Sequence, residues 1–205
     1  MSNADFNPKD LMKEKKLWDI YLASRRISFS RFNFVTTFIV FLLLCLNSWL
    51  TTQTITETIE IVRNMASSGL AITLSTLGFL LAGFTIFATV SQPSLSLRMS
   101  EIKHPDSGLS YLKHNYFIFL RVFIYYLTFS VFCLFIVMFG HKGGLIPLLA
   151  SYAPYEDNVK FAIVKLSYII LFTGYYFLIM QLKSFVFNIY HAVMTSLRWK
   201  AEGYE

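Results

Sequence analysis

Charge is what this sequence has least of. Only 15% of its 205 residues are Asp, Glu, Lys or Arg, where a typical soluble domain has about 25%. Four stretches, Phe34 to Leu50, Gly69 to Ser91, Val122 to Gly140 and Leu166 to Leu182, carry no charge at all. With no carboxylate inside any of them, a proton relay, a carboxylate cation site and a charged selectivity ring are missing, which argues against secondary transport. Cysteine is also scarce. Cys45 and Cys133 both fall inside apolar stretches, no Cys-x-x-Cys occurs, and the pair reads as two small buried residues outside any disulfide framework. The four histidines, His104, His114, His141 and His191, show no helical spacing to a carboxylate or to one another that would hold zinc, so neither a zinc hydrolase nor a cofactor is expected. No glycine-rich phosphate loop is present. The longest segment outside the apolar stretches is the N-terminal piece of about 33 residues, shorter than the ~40 residues below which unaided folding is unusual. No separate catalytic domain fits, and the chain reads as a non-enzyme. No small-residue cleavage site precedes the first apolar stretch, so no cleaved signal peptide is expected.

What is present is length and hydrophobicity. Each apolar stretch reaches or nearly reaches the ~20 residues that cross a bilayer as a helix. The expected fold is all-α, a four-span integral membrane bundle over residues 34–182, with a cytoplasmic segment at 1–33 and a cytoplasmic helical tail at 183–205. Thirteen Lys and Arg fall on the side that holds both termini and the connection between spans two and three, whereas Arg63, Lys142 and Lys160 alone fall on the other. By the positive-inside rule both termini are cytoplasmic. The formal charge of +6 follows from this asymmetry. Its basic residues form no single dense stripe, so direct nucleic-acid binding is not expected.

Local signals add detail. Asn7 and Pro8 read as an N-cap and a first helical residue, followed by Asp10, so one N-terminal helix should start there. It places Leu11, Trp18 and Leu22 on a face suited to the headgroup region or to neighbouring cytoplasmic elements. Beyond Leu50, Ile55, Ile59 and Val62 keep helical spacing, which suggests that the first spanning helix projects past the outer surface. In the second outer connection, Gly143, Gly144, Pro147 and Pro154 punctuate a loop. The triplet His104-Pro105-Asp106 reads as a turn. Arg121, Lys165 and Lys183 read as anchors at span ends, their heads reaching for the interface. Beyond Lys183 the chain has no Gly or Pro before Gly203, so the last helix should continue.

The sharpest pattern lies in span two, where Ala71, Ser75, Gly78, Ala82, Thr85 and Thr89 recur at spacings of 4, 3, 4, 3 and 4. In lipid, close approach of backbones through small side chains drives helix association. One face of this helix should therefore touch another, either within the bundle or in a second copy. Leu74, Phe79, Leu80, Leu81, Phe84 and Phe87 are left for lipid or looser packing.

The stretch LSTLGFLLAGFTIFATVSQPSL, from Leu74 to Leu95, together with the chain's size and four-span layout, resembles the KwaA family, the membrane subunits of Kiwa anti-phage defence systems. The resemblance implies a homo-oligomer, such as a tetramer, in the bacterial inner membrane, which works with a KwaB-like cytosolic DNA-binding partner to sense infection and restrict phage DNA. It carries over no catalytic residue. The leading functional expectation is thus a non-enzymatic scaffold or sensor. Its partner-docking surface would combine Trp18 with Phe187, Tyr190, Met194, Leu197, Arg198, Trp199 and Lys200, since apolar surface beyond a membrane end marks an interaction site. Phe185 extends past the membrane end of the last helix with them. The alternative is a small channel or membrane-depolarising effector that uses the small-residue seam as a pore or gate.

Overall fold

A computed structural model describes residues 7–51, 54–90, 93–152 and 156–203. Ser91, Gln92 and Pro154, which entered the sequence reading, lie outside them. Among the described residues every element is helical apart from an isolated bridge between Lys103 and Ser110. A short 3-10 helix, Pro8–Met12, is followed by α1 (Leu17–Ser24), α2 (Arg31–Leu50), α3 (Ile55–Val90), α4 (Pro93–Glu101), α5 (Tyr111–Phe139), α6 (Leu145–Ser151) and α7 (Glu156–Ala201). Four of these, α2, α3, α5 and α7, are long and apolar enough to cross a membrane.

The ends of the helices follow from local chemistry. Ser30 caps α2 by accepting from the Asn33 backbone N–H at 3.4 Å, and the helix stops at Thr51, whose backbone is extended. Thr54 and Glu57 then form a reciprocal capping box, Thr54 N–H to Glu57 Oε2 at 3.0 Å and Glu57 N–H to Thr54 Oγ1 at 3.3 Å, which starts α3. The expectation that the first spanning helix projects is therefore corrected. Ile55, Ile59 and Val62 belong to α3, and it is α3 that overreaches: its 36 residues span ~54 Å at 1.5 Å each, against a hydrocarbon layer of ~30 Å. The single N-terminal helix is corrected as well. Asn7 does accept from the Lys9 N–H at 3.0 Å, but the 3-10 turn ends at Met12. Asp19 Oδ2 then accepts from the backbone N–H groups of Lys15 and Lys16, at 3.2 and 3.1 Å, and sets a fresh start for α1. In the second outer connection the loop contains α6, seven residues long. Beyond Lys183, α7 continues unbroken to Ala201.

By packing, the described residues fall into two units, with boundaries at Phe29/Ser30, Leu77/Gly78, Tyr125/Tyr126 and Met180/Gln181. The second unit (residues 30–77 and 126–180) holds α2, α6 and parts of α3, α5 and α7. Its tightest approach is at Gly69, where an added Cβ would lie 1.7 Å from Tyr175 Oη and 3.2 Å from Cys133 Sγ. Gly174 is similarly close to Phe129, at 2.3 Å from a ring carbon. Buried hydrogen bonds cross between helices: Ser130 Oγ to Thr73 Oγ1 at 2.8 Å, Tyr126 Oη to the Leu178 carbonyl at 3.0 Å and Tyr175 Oη to the Met65 carbonyl at 3.0 Å. In hydrocarbon each such bond contributes ~0.6 kcal/mol on average.

Helix α2 is turned inside out by the standards of a soluble protein. Its buried residues, Asn33 and Ser48, are polar, while Phe32, Phe34, Phe38, Leu43, Leu46 and Trp49 are exposed. Asn33 Nδ2 donates to the Met180 carbonyl at 3.1 Å, Asn47 Nδ2 donates to Tyr168 Oη at 3.4 Å, and Lys165 Nζ donates to the Ser48 carbonyl. Polar contacts to α7 thus hold a helix whose greasy surface needs lipid as its solvent. Cys45, expected to be buried, is only half-buried on this outlying helix, whereas Cys133 is fully enclosed; both are free thiols.

Candidate functional site

The other unit (7–29, 78–125 and 181–203 among the described residues) contains α1, α4 and the remaining parts of α3, α5 and α7. A small core of Ile27, Leu109 and Phe117, extended by Ile20 and Ala23, joins α1 to α5. A second aromatic cluster, Phe87 to Phe119 at 4.7 Å and Phe119 to Phe185 at 5.3 Å, ties α3, α5 and α7 together. Gly83 makes room for it, since a Cβ there would lie 2.9 Å from Ile189 Cδ1 and 3.1 Å from Phe185.

Arg121, read from sequence as an anchor reaching outward, is instead buried at 6% exposure. Its Nη1 donates to the carbonyls of Ser24 at 3.1 Å and Ile27 at 2.9 Å, and its guanidinium stacks 4.5 Å over the Phe29 ring. The end of α1 leaves backbone carbonyls without helical partners, and a guanidinium is the side chain best shaped to gather two of them. Lys113 also pairs with Glu14. The N-terminal segment is thereby fixed to α5 through Ile20, Ala23 and Ile27, while the face with Leu11, Trp18 and Leu22 stays exposed.

The small-residue seam of α3 makes none of the close contacts described so far. Ala71, Ser75, Gly78, Ala82, Thr85 and Thr89 are all exposed on the single chain, and nothing lies within 4 Å of a Cβ built on Gly78. The buried face is Val62, Ala66, Gly69, Thr73, Leu77, Leu80, Gly83 and Phe87. Gly69 and Thr73 precede Ala71 and Ser75 by two residues, which at ~100° per residue turns the face by about 200°. The assignment of Leu80 and Phe87 to lipid or loose packing is corrected: they are 1% and 4% exposed. The seam's hydroxyls bond back to their own helix, Ser75 to the Ala71 carbonyl at 2.9 Å, Thr85 to Leu81 at 2.9 Å and Thr89 to Thr85 at 3.0 Å.

Of the tail residues, Phe187, Tyr190, Met194 and Leu197 are exposed at spacings of 3, 4 and 3, one face of α7, and Trp18 on α1 is exposed too. Arg198 and Lys200 are exposed; Arg198 pairs with Glu202 at 2.7 Å, and Trp199 is half-buried. Phe185 is corrected to a core residue at 1% exposure.

The feature that sequence reasoning missed is a cavity of about 360 Å³ wholly within this unit. Helices α3 and α4 supply apolar wall through Phe87, Leu95 and Met99, and α5 adds Ile118 and Phe119. Against these stand Tyr111, His114 and Asn115 on α5, Asn188, His191 and Thr195 on α7, and His104 in the turn before α5. Three of the four histidines thus meet on one cavity. His104 is carried by a turn at 105–107, as expected for His-Pro-Asp, closed by the Gly108 N–H to the His104 carbonyl at 2.9 Å. Its ring stacks on that of His114 at 3.8 Å and 4°. His114 Nδ1 lies 2.9 Å from Ser107 Oγ. Because the uncharged run of α5 begins only at Val122, His114 stands outside the membrane-spanning segment. Burial pushes its pKa down, the neighbouring His104 and Arg121 push it further, and Asp106 offsets them only partly, leaving it at about 4. His114 is therefore neutral at physiological pH. Among the described residues no group of three His, Cys, Asp or Glu side chains is placed to hold a metal ion, so the arrangement suits hydrogen bonding and stacking. No spacing rule could have found it, because its members come from a turn and two helices far apart in the chain. Comparison with known protein families, curated proteins and solved structures finds no match for this chain.

Proposed function

We propose that this protein is a non-enzymatic scaffold or sensor in the bacterial inner membrane, with both termini cytoplasmic, that self-associates and recruits a cytosolic partner as part of an anti-phage defence complex. The observation that carries the reading is the exposed row Phe187, Tyr190, Met194 and Leu197 on a helix that outruns any bilayer. The 46 residues of α7 extend ~69 Å, more than twice the ~30 Å hydrocarbon thickness. Apolar surface beyond the membrane favours a protein partner, with aromatic anchors at the centre and Arg198 and Lys200 at the rim. The Lys and Arg asymmetry supports the orientation. The exposed small-residue face of α3 supports self-association, because it allows a second copy's backbone to approach closely. The family resemblance supports a KwaB-like DNA-binding protein as the partner.

The test uses Phe187→Ser with Tyr190→Ser, which leaves the core residue Phe185 in place. Co-expressed with a KwaB-like protein, the variant should insert in the membrane normally and lose both co-purification and protection from phage. Normal insertion with undiminished recruitment and protection would overturn the docking assignment. Ion flux from the purified protein in liposomes at rates well above empty vesicles would favour a channel over a scaffold.

A further inference from the structure

The cavity bounded by α3, α4, α5 and α7 has walls of two kinds, and among the described residues neither carries an Asp, Glu, Lys or Arg side chain. On the side of α3 and α4 the contribution is wholly apolar, from Phe87, Leu95 and Met99. From α5 and α7 come the carboxamides of Asn115 and Asn188, both half-buried and, among the described residues, without a hydrogen-bond partner. A half-buried carboxamide without a protein partner is a donor and acceptor pair held ready for water or ligand. The volume lies within the ~300–1,000 Å³ typical of small-molecule sites, where convergent polar groups on an apolar lining fix orientation.

These observations constrain the occupant. The absence of Lys and Arg from the wall disfavours a phosphate or carboxylate, which needs a cation or a cluster of N–H donors. A cation is disfavoured by the absence of Asp and Glu. A saturated chain would leave both carboxamides unanswered. What satisfies both walls is a flat ring with an apolar face and an edge of alternating donors and acceptors. Carboxamides pair with such edges in bidentate fashion, and aromatic and imidazole rings stack on such faces.

We propose that this cavity is a binding site for an uncharged nitrogen heterocycle of the nucleobase or nucleoside class, oriented by Asn115 and Asn188 and packed against Phe87 and Phe119. The proposal goes beyond the scaffold reading and does not depend on it. Four elements bound the site, so occupancy would bias how α7 packs on α4 and α5. That gives the unit a ligand-dependent state.

The experiment titrates the full-length protein, purified in nanodiscs, with adenosine, guanosine, cytidine and uridine by calorimetry and by thermal shift. At least one nucleoside should bind saturably and raise the melting temperature with concentration, as mass action requires. Ribose alone should not bind, and the matching 5′-monophosphate should bind no more tightly than the nucleoside. Asn115→Ala and Asn188→Ala should each weaken binding about tenfold, equivalent to ~1.4 kcal/mol. Ala192→Phe, which fills the cavity from α7, should abolish binding while the unliganded protein melts as before. The proposal is overturned if no nucleoside binds at millimolar concentration, if the nucleotide binds tenfold more tightly, or if binding survives in a folded Ala192→Phe protein.

Discussion

Two glycines nine residues apart on α3 should respond in opposite ways to the same substitution. At Gly69 a methyl group would sit 1.7 Å from Tyr175 Oη and 2.6 Å from its Cζ, so the ring must move and its hydrogen bond to the Met65 carbonyl is lost. Overpacking of this kind destabilises by ~1–3 kcal/mol, and the lost bond adds ~0.5–1.5 kcal/mol. Gly78→Ala meets nothing within 4 Å. Both changes gain the same helix preference of Ala over Gly, ~0.8–1 kcal/mol, so it cancels in the comparison. Gly69→Ala should therefore be less stable than Gly78→Ala by about 1.5–4.5 kcal/mol. Reversible SDS titration in mixed micelles, at protein dilutions where the chain is monomeric, measures this directly. Equal stabilities, or Gly78→Ala as the weaker protein, would mean that the seam packs inside the chain and that the face of α3 has been assigned wrongly. If the monomers behave as expected, Gly78→Leu tests the seam separately, because it should lower the oligomer yield without altering monomer stability.

Arg121→Leu should free the end of α1 by removing charge-assisted bonds to two carbonyls, each contributing ~1.5–3 kcal/mol; trypsin cleavage at Arg25 and Arg26 should accelerate, and an unchanged rate would count against the clamp. The pKa of His114 falls from 6.5 to about 4 in the folded chain, so the unfolded chain binds its proton more readily and stability drops as pH falls through that window. Melting temperatures at pH 7.5, 5.5 and 4.5 should show the wild type losing more than His114→Gln below pH 6.5, and parallel curves would refute the assignment. In a cysteine-free background, single cysteines at Thr54 and His141 should react with an impermeant maleimide added outside intact cells. Labelling of a cysteine at Lys13 under the same conditions would invert the orientation.

The four spanning helices were legible because hydrocarbon imposes one demand, an uncharged run of sufficient length, and Phe34 to Leu50 or Val122 to Gly140 meet it without help from any partner. Which face of α3 is buried was not legible. In lipid both a small-residue seam and a mixed face with Gly69, Thr73 and Gly83 can pack, and the choice is made by Tyr175, Phe185 and Ile189, far away in sequence. The break between Met12 and Leu17 left a readable trace, since Asp19 stands three residues after Lys16 as an N3 acid does, but Lys and Glu are good helix formers and conceal it. Arg121 looked like any span-end cation because its carbonyl partners, Ser24 and Ile27, carry no side-chain signature of their role. The histidine cavity depended wholly on tertiary proximity.

The polar attachment of α2 has a consequence for the order in which the chain matures. Insertion precedes helix association in membranes, and a span whose outward surface is Phe, Leu and Trp is stable in the bilayer before it touches anything. Its contacts with α7, Asn33 to Met180 and Lys165 to Ser48, need a preformed α7 with carbonyls and a lysine in register. Although α2 leaves the ribosome before α7, it would dock only once α7 has formed. In the interval it is an independent lodger in the lipid, and the step that ends this interval is the exchange of a few hydrogen bonds rather than the burial of a core.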